Sequence, residues 1–120
     1  MRFRKFLSWF IGFTEGDGNF HINNRGYLEF KITQSSSDAQ VLFYIKKFLG
    51  FGSVSLQDRM NKTHLFRVRD QNNVRKLIYI FNGKLLTDKK RNQFAAWVNG
   101  YNKKFKGTTL QYGWFWGWIF

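Results

Sequence analysis

The chain has no cysteine and no proline. Without cysteine, disulfides and thiolate metal sites are excluded. Histidine is nearly absent as well, and His21 and His64 are too few for a histidine-rich zinc site. Any metal the chain holds must therefore sit on oxygen, which favours magnesium- or calcium-like ions. Acids are the third scarcity: seven stand against twenty lysines and arginines, a formal net charge of +13 and a pI near 10.4. That imbalance points to a polyanionic partner, with nucleic acid ahead of an anionic membrane surface. No apolar run reaches the roughly 18 residues of a membrane span. The opening Met1-Arg-Phe-Arg-Lys-Phe-Leu-Ser-Trp-Phe has the look of a signal peptide, but no small-residue cleavage site comes after it. It reads instead as the first helix of the fold.

What is present suits one domain with a real core: 120 residues, 43% hydrophobic and 21% aromatic. The bias toward Phe, Asn, Lys and Tyr fits an AT-rich genome such as an organelle's, a mitochondrion ahead of a chloroplast.

Residues 10–18, Phe-Ile-Gly-Phe-Thr-Glu-Gly-Asp-Gly, carry the most information. They read as an apolar helix ending in Glu15 and Asp17, interleaved with Gly16 and Gly18. A helix C-terminus carries partial negative charge and prefers Lys or Arg. Two acids there, in a chain with so few, imply a cation nearby. The competing reading is a plain turn in which the glycines only let the backbone reverse.

Helix one is expected over about 4–15. A strand pair comes next over 19–23 and 27–34, with Phe20, Ile22, Leu28, Phe30 and Ile32 alternating with polar residues. Ser35-Ser36-Ser37-Asp38 offers N-cap chemistry to a helix running through Phe48. Strands at Val54–Leu56 and Phe66–Val68 flank a polar tip at 59–62, and Asn72 or Asn73 is positioned to cap a third helix. Asp88 to about Tyr101 forms the last. The order α-β-β-α-β-β-α-α predicts an α+β fold, a four-stranded antiparallel sheet with helices on one face. The opposite face then presents Asn19, His21, Asn23, Glu29, Lys31, Thr33, Ser53, Ser55, Gln57, Arg67 and Arg69, groups of the kinds that read base edges. Arg2, Arg4, Lys5, Arg25, Arg59 and Lys62 sit at ends and turns, where phosphate is within reach. A solvated outer sheet face is the bland alternative.

The nonapeptide at 10–18 resembles the signature of the LAGLIDADG homing endonucleases. The element order, Phe30-Lys-Ile-Thr-Gln34 and the basic segment from Phe81 to Phe94 resemble that family's half-domain too (αββαββα), here residues 1–107. The resemblance implies two such helices side by side, with active-site acids meeting at their lower ends. Asp17 would bind Mg2+ or a similar divalent cation, with the Gly16 carbonyl adding a ligand. Glu15 would be a structural acid at the helix end. Gln34 would line the catalytic water pocket, and Lys89 or Lys90 would stabilise phosphate charge. Gly12 and Gly16 fall on one helix face and permit close helix–helix contact. Where the family often has a further basic residue shortly after Gln34, this chain has Ser37 and Asp38.

The aromatic tail, residues 108–120, repeats the start of the motif helix: Trp9-Phe10-Ile11-Gly12-Phe13 is echoed by Trp114-Phe115-Trp116-Gly117-Trp118, with Gly113 and Gly117 restoring the glycine spacing. The repeat suggests a truncated second motif helix without its acids. A tail packed on its own helices or an interfacial anchor are the competing readings. Three functions are open at this point. One is a subunit that hydrolyses duplex DNA as a homodimer or beside a separate second half. Another is a non-catalytic protein bound to structured RNA, in intron splicing or on a ribosome. The third is a pure interaction module completing another half-domain.

Overall fold

In a computed structural model, residues 2–105 are described. Helix α1 (Phe3–Asp17) leads into strands β1 (Gly18–Ile22) and β2 (Leu28–Ser35), and a single 3-10 turn (Ser36–Asp38) precedes α2 (Gln40–Leu49). Strands β3 (Ser53–Asp58) and β4 (Thr63–Val68) come next, then α3 (Gln71–Phe81) and α4 (Asp88–Lys104). The sheet is antiparallel in the order β1-β2-β4-β3, as the α+β expectation requires.

Among the described residues, eight of the large aromatics converge on one core. Phe6 and Phe10 of α1, Phe20, Phe30 and Phe66 of the sheet, Phe81 of α3, and Phe94 and Trp97 of α4 are all buried. The Phe30 ring lies 5.4–6.3 Å from the rings of Phe10, Phe20, Phe66 and Phe81, at tilted or edge-on angles that aromatic pairs favour. Helices cover this face alone. The outer edge of β1 is closed by α4, whose Gln93 accepts from the Phe20 N–H at 3.5 Å and whose Trp97 Nε1 donates to the His21 carbonyl at 3.0 Å. Two backbone groups of the edge strand thereby find partners.

Three local expectations are corrected. First, α1 does not stop near Glu15 but continues through Asp17 and passes straight into β1, so the competing turn reading falls away. Gly18 has an ordinary φ of −78°, and it is glycine because a Cβ there would collide with Thr14 Cγ2. Second, the serines at 35–38 cap nothing by side chain; α2 begins after Ala39. Third, α3 is capped by Asp70, whose carboxylate accepts from the Asn72 N–H at 3.1 Å, not by Asn72 or Asn73. No helix among the described residues is long and apolar enough to cross a membrane. Gly113, Gly117 and the whole tail lie outside the described residues.

Candidate active site and nucleic-acid interface

The last turn of α1 sends its two acids in different directions. Glu15 points across to the start of α4, where its carboxylate accepts from the Leu86 N–H, from the Thr87 N–H at 3.4 Å and from Thr87 Oγ1 at 2.8 Å. Thr87 in turn caps α4 by accepting from the Lys90 N–H. Asp17 is exposed, and its Oδ2 accepts from Gln34 Nε2 at 3.2 Å. The fold thus brings Gln34, at the end of β2, to the one acid of the pair that faces outward.

Lys89 and Lys90 are separated just as sharply. Lys90 is only 6% exposed, and its Nζ donates to the Gly18 carbonyl at 2.5 Å and to Gln93 Oε1 at 3.4 Å. Burial lowers its pKa, helped by the adjacent Lys89 charge and opposed by Glu15 and Asp17. Lys89 is exposed. Above the lowered folded value and up to the ordinary 10.5, the unfolded chain holds the proton more often than the folded one. Wild-type stability should therefore rise relative to Lys90→Met as pH climbs through that window. Paired denaturant titrations across it read the difference, and parallel curves would remove this account of Lys90.

Gly12 and Gly16 lie on the exposed side of α1, where an added Cβ would meet nothing within 4 Å. No other part of the described chain packs there, so the glycines leave a flat strip open to an approaching surface.

On the sheet's open face the register sets Asn19 opposite Lys31, His21 opposite Glu29, and Arg67 between Lys31 and Ser53. Thr33 and Ser55 flank Leu65, a buried apolar residue on this face that the alternation had not singled out. Glu29 is 7% exposed and lies 3.7 Å from the Arg67 Nε, an ion pair without hydrogen-bond geometry. Arg25, Arg59, Lys62 and Arg69 are exposed at the strand ends and turns. Asn23 and Gln57 are also engaged within the chain. Asn23 Oδ1 accepts from the Arg25 and Tyr27 N–H groups and builds its own turn, and Gln57 Oε1 accepts from Thr63 Oγ1. Among residues not anticipated, Gln93 ties Asn19 Oδ1 at 3.1 Å as well as β1's backbone, and Gln71 bonds both backbone groups of Leu28. The three-residue spacing of Lys90 and Gln93 was the only available signal for the first.

Taken together, the fold and site define an α+β half-domain with one open carboxylate below its motif helix and a polar, basic sheet face. A family model described as LAGLIDADG endonuclease matches residues 10–101. The chain belongs to that family. It is 60% identical over 101 residues to the "Probable intron-encoded endonuclease 4" of Neurospora crassa, covering 84% of this chain but 18% of that relative's length. Among solved structures it resembles the homing endonuclease I-TnaI, with a TM-score of 0.63 and 22% identity over 81% of this chain and 86% of that one. It also resembles the LAGLIDADG homing endonuclease I-GzeII in complex with its DNA target, with a TM-score of 0.71 and 24% identity over 84% and 37% of the two chains. The same fold therefore fills most of one neighbour and under two fifths of another.

Proposed function

We propose that the chain is one half of a homing endonuclease that hydrolyses phosphodiester bonds in duplex DNA, bound on the open face of its sheet. The observation carrying this reading is the outward-facing Asp17, alone at the end of a helix whose Gly12 and Gly16 strip is uncovered. Endonucleases of this family depend on divalent metals. The local donors suit a hard cation: the Asp17 carboxylate, and the carbonyl of Gly16 in a last turn whose carbonyls lack intrahelical partners. No cluster of three acids or histidines surrounds them among the described residues. The donor set is half of one, and a second copy of the chain or a separate second half completes it. A cation held there would supply Lewis-acid stabilisation of phosphate charge and a more acidic water.

The chain's own residues hold that arrangement in place. Gln34 orients the Asp17 carboxylate, and Lys90 holds Gly18, so the backbone beside Asp17 cannot drift. Lys89, exposed next to Lys90, is assigned to phosphate charge. The intron-encoded relative and the composition together favour an organelle, a mitochondrion first.

Binding tests this reading without a known target. If the exposed cations Arg25, Arg59, Lys62 and Arg69 join Lys31 and Arg67 in meeting phosphate, duplex affinity should fall about 10³-fold between about 50 and 200 mM salt. Structured RNA should compete less well than duplex DNA. A salt-insensitive affinity, or RNA winning the competition, would overturn the choice of partner.

A further inference from the structure

Strand β2 ends one residue beyond Gln34, and two hydrogen bonds from Ser36 anchor the turn that leads from it into α2. The Ser36 N–H donates to the Lys62 carbonyl at 2.7 Å, and Ser36 Oγ shares a 2.7 Å hydrogen bond with His64 Nδ1. The neighbouring polar residues turn elsewhere: Ser35 Oγ meets Ser37 Oγ at 2.9 Å and Asp38 Oδ2 at 3.0 Å, all exposed. Ser36 is thus the residue of that turn that ties it to β4. His64 has a second relation to the site, because it stands directly opposite Gln34 in the β2–β4 register, with Leu56 on its other flank. Opposed residues project to one face with their Cβ atoms about 4.5–5.5 Å apart. The His64 ring and the Gln34 side chain are therefore neighbours on the helix-covered face, and from there Gln34 reaches Asp17.

We propose that Ser36 and His64 form a positioning pair for Gln34, keeping its carboxamide against the Asp17 carboxylate. Neither residue touches the reacting atoms. Gln34 has three rotatable side-chain bonds, and ordering them opposes the contact entropically. It also sits one residue short of the end of β2, where local opening costs least. A ring fixed at Nδ1 beside it removes alternative rotamers, and the two bonds from Ser36 stop the strand end from peeling away from β4. The functional consequence rests on Asp17 being the catalytic acid of the half-site; the positioning itself does not.

Four variants separate these claims. Ser36→Ala and His64→Phe remove the bond. His64→Asn keeps a polar atom near the place of Nδ1, and Ser37→Ala alters the same turn without touching His64. In the full-length chain without nucleic acid, the Gln34 side-chain amide resonances should move toward their unstructured positions in the first two variants. In the last two they should stay near wild type. On a duplex that the wild-type chain cleaves, Ser36→Ala and His64→Phe should slow single-turnover cleavage by roughly tenfold to a hundredfold, the effect of small misplacements in an active site. Duplex Kd should stay within about twofold, and His64→Asn should restore the rate. An unmoved Gln34 signal in both Ser36→Ala and His64→Phe overturns the proposal, as does an equal loss of binding and cleavage. If the wild-type chain cleaves no duplex, the nuclease reading fails, while the Gln34 resonances still decide the positioning.

Discussion

An Asp17→Asn chain is expected to lose at least about 10²-fold in metal-dependent duplex cleavage, the several kcal/mol that a catalytic cation supplies, while binding duplex within about twofold of wild type. The substitution keeps the side chain's shape and leaves a carboxamide oxygen to accept from Gln34 Nε2. It removes only the charge that holds a cation. Asp17 is exposed and carries no burden in the core, so thermal melting should be nearly unchanged. Removing a negative charge from a chain of net charge +13 cannot weaken its attraction to phosphate. The measurement is single-turnover cleavage of a target selected from a randomised duplex library, in Mg2+, with the chain dimeric or mixed with its second half. Cleavage that persists in Asp17→Asn would remove this residue from the chemistry.

Two residues earlier the expected phenotype inverts. Glu15→Ala should destabilise the fold by about 2 kcal/mol and lower Tm by roughly 10 °C. Its carboxylate takes the Leu86 and Thr87 N–H groups and the Thr87 hydroxyl, joining the end of α1 to the start of α4. Hydrogen bonds to a charged acceptor are worth more than neutral ones, and water replaces part of them because Leu86 and Thr87 are exposed. Glu15→Gln keeps one acceptor oxygen and should fall between. Denaturant unfolding of the three chains measures the series. Wild-type stability in Glu15→Ala would mean that the α1–α4 junction is held by packing alone. Paired with Asp17→Asn, the series separates an acid that holds the fold from an acid that serves the site.

Much of the fold was legible because alternation and helical spacing leave few choices. Phe20, Leu28, Phe30 and Ile32 can be buried together only as two strands of one sheet, and that is their arrangement; Ile22, at the end of β1, shares their face but stays exposed. The misreadings share one physical origin: a local polar residue has several partners available, and distant packing chooses among them. Helix one is expected to end near Glu15, and Gly16 and Gly18 would permit a turn there. Gly18 instead answers a close approach to Thr14, and the helix runs on. The serines at 35–38 suit an N-cap, yet Ser35 bonds Asp38 and Ser36 bonds His64. Gln93 and Thr87 were invisible as site-building residues because their partners in β1 and α1 lie more than seventy positions away. Leu65 on the open face was hidden for the opposite reason: strict alternation treats every apolar residue as inward-facing.

The sequence alone determined the element order, the basic character and the presence of an acidic pair beneath an apolar helix. Those properties depend on composition and on neighbours a few positions apart. The resemblance had implied Glu15 as the structural acid; tertiary structure supplied the groups that Glu15 holds, and it alone decided which lysine is buried. Those outcomes depend on where the start of α4 lands against the end of α1, a contact spanning 71 residues of chain. Glu15 is engaged because Leu86 and Thr87 reach it, Lys90 because burial beside Gly18 gives it a carbonyl. Asp17 stays outward beside an uncovered glycine strip.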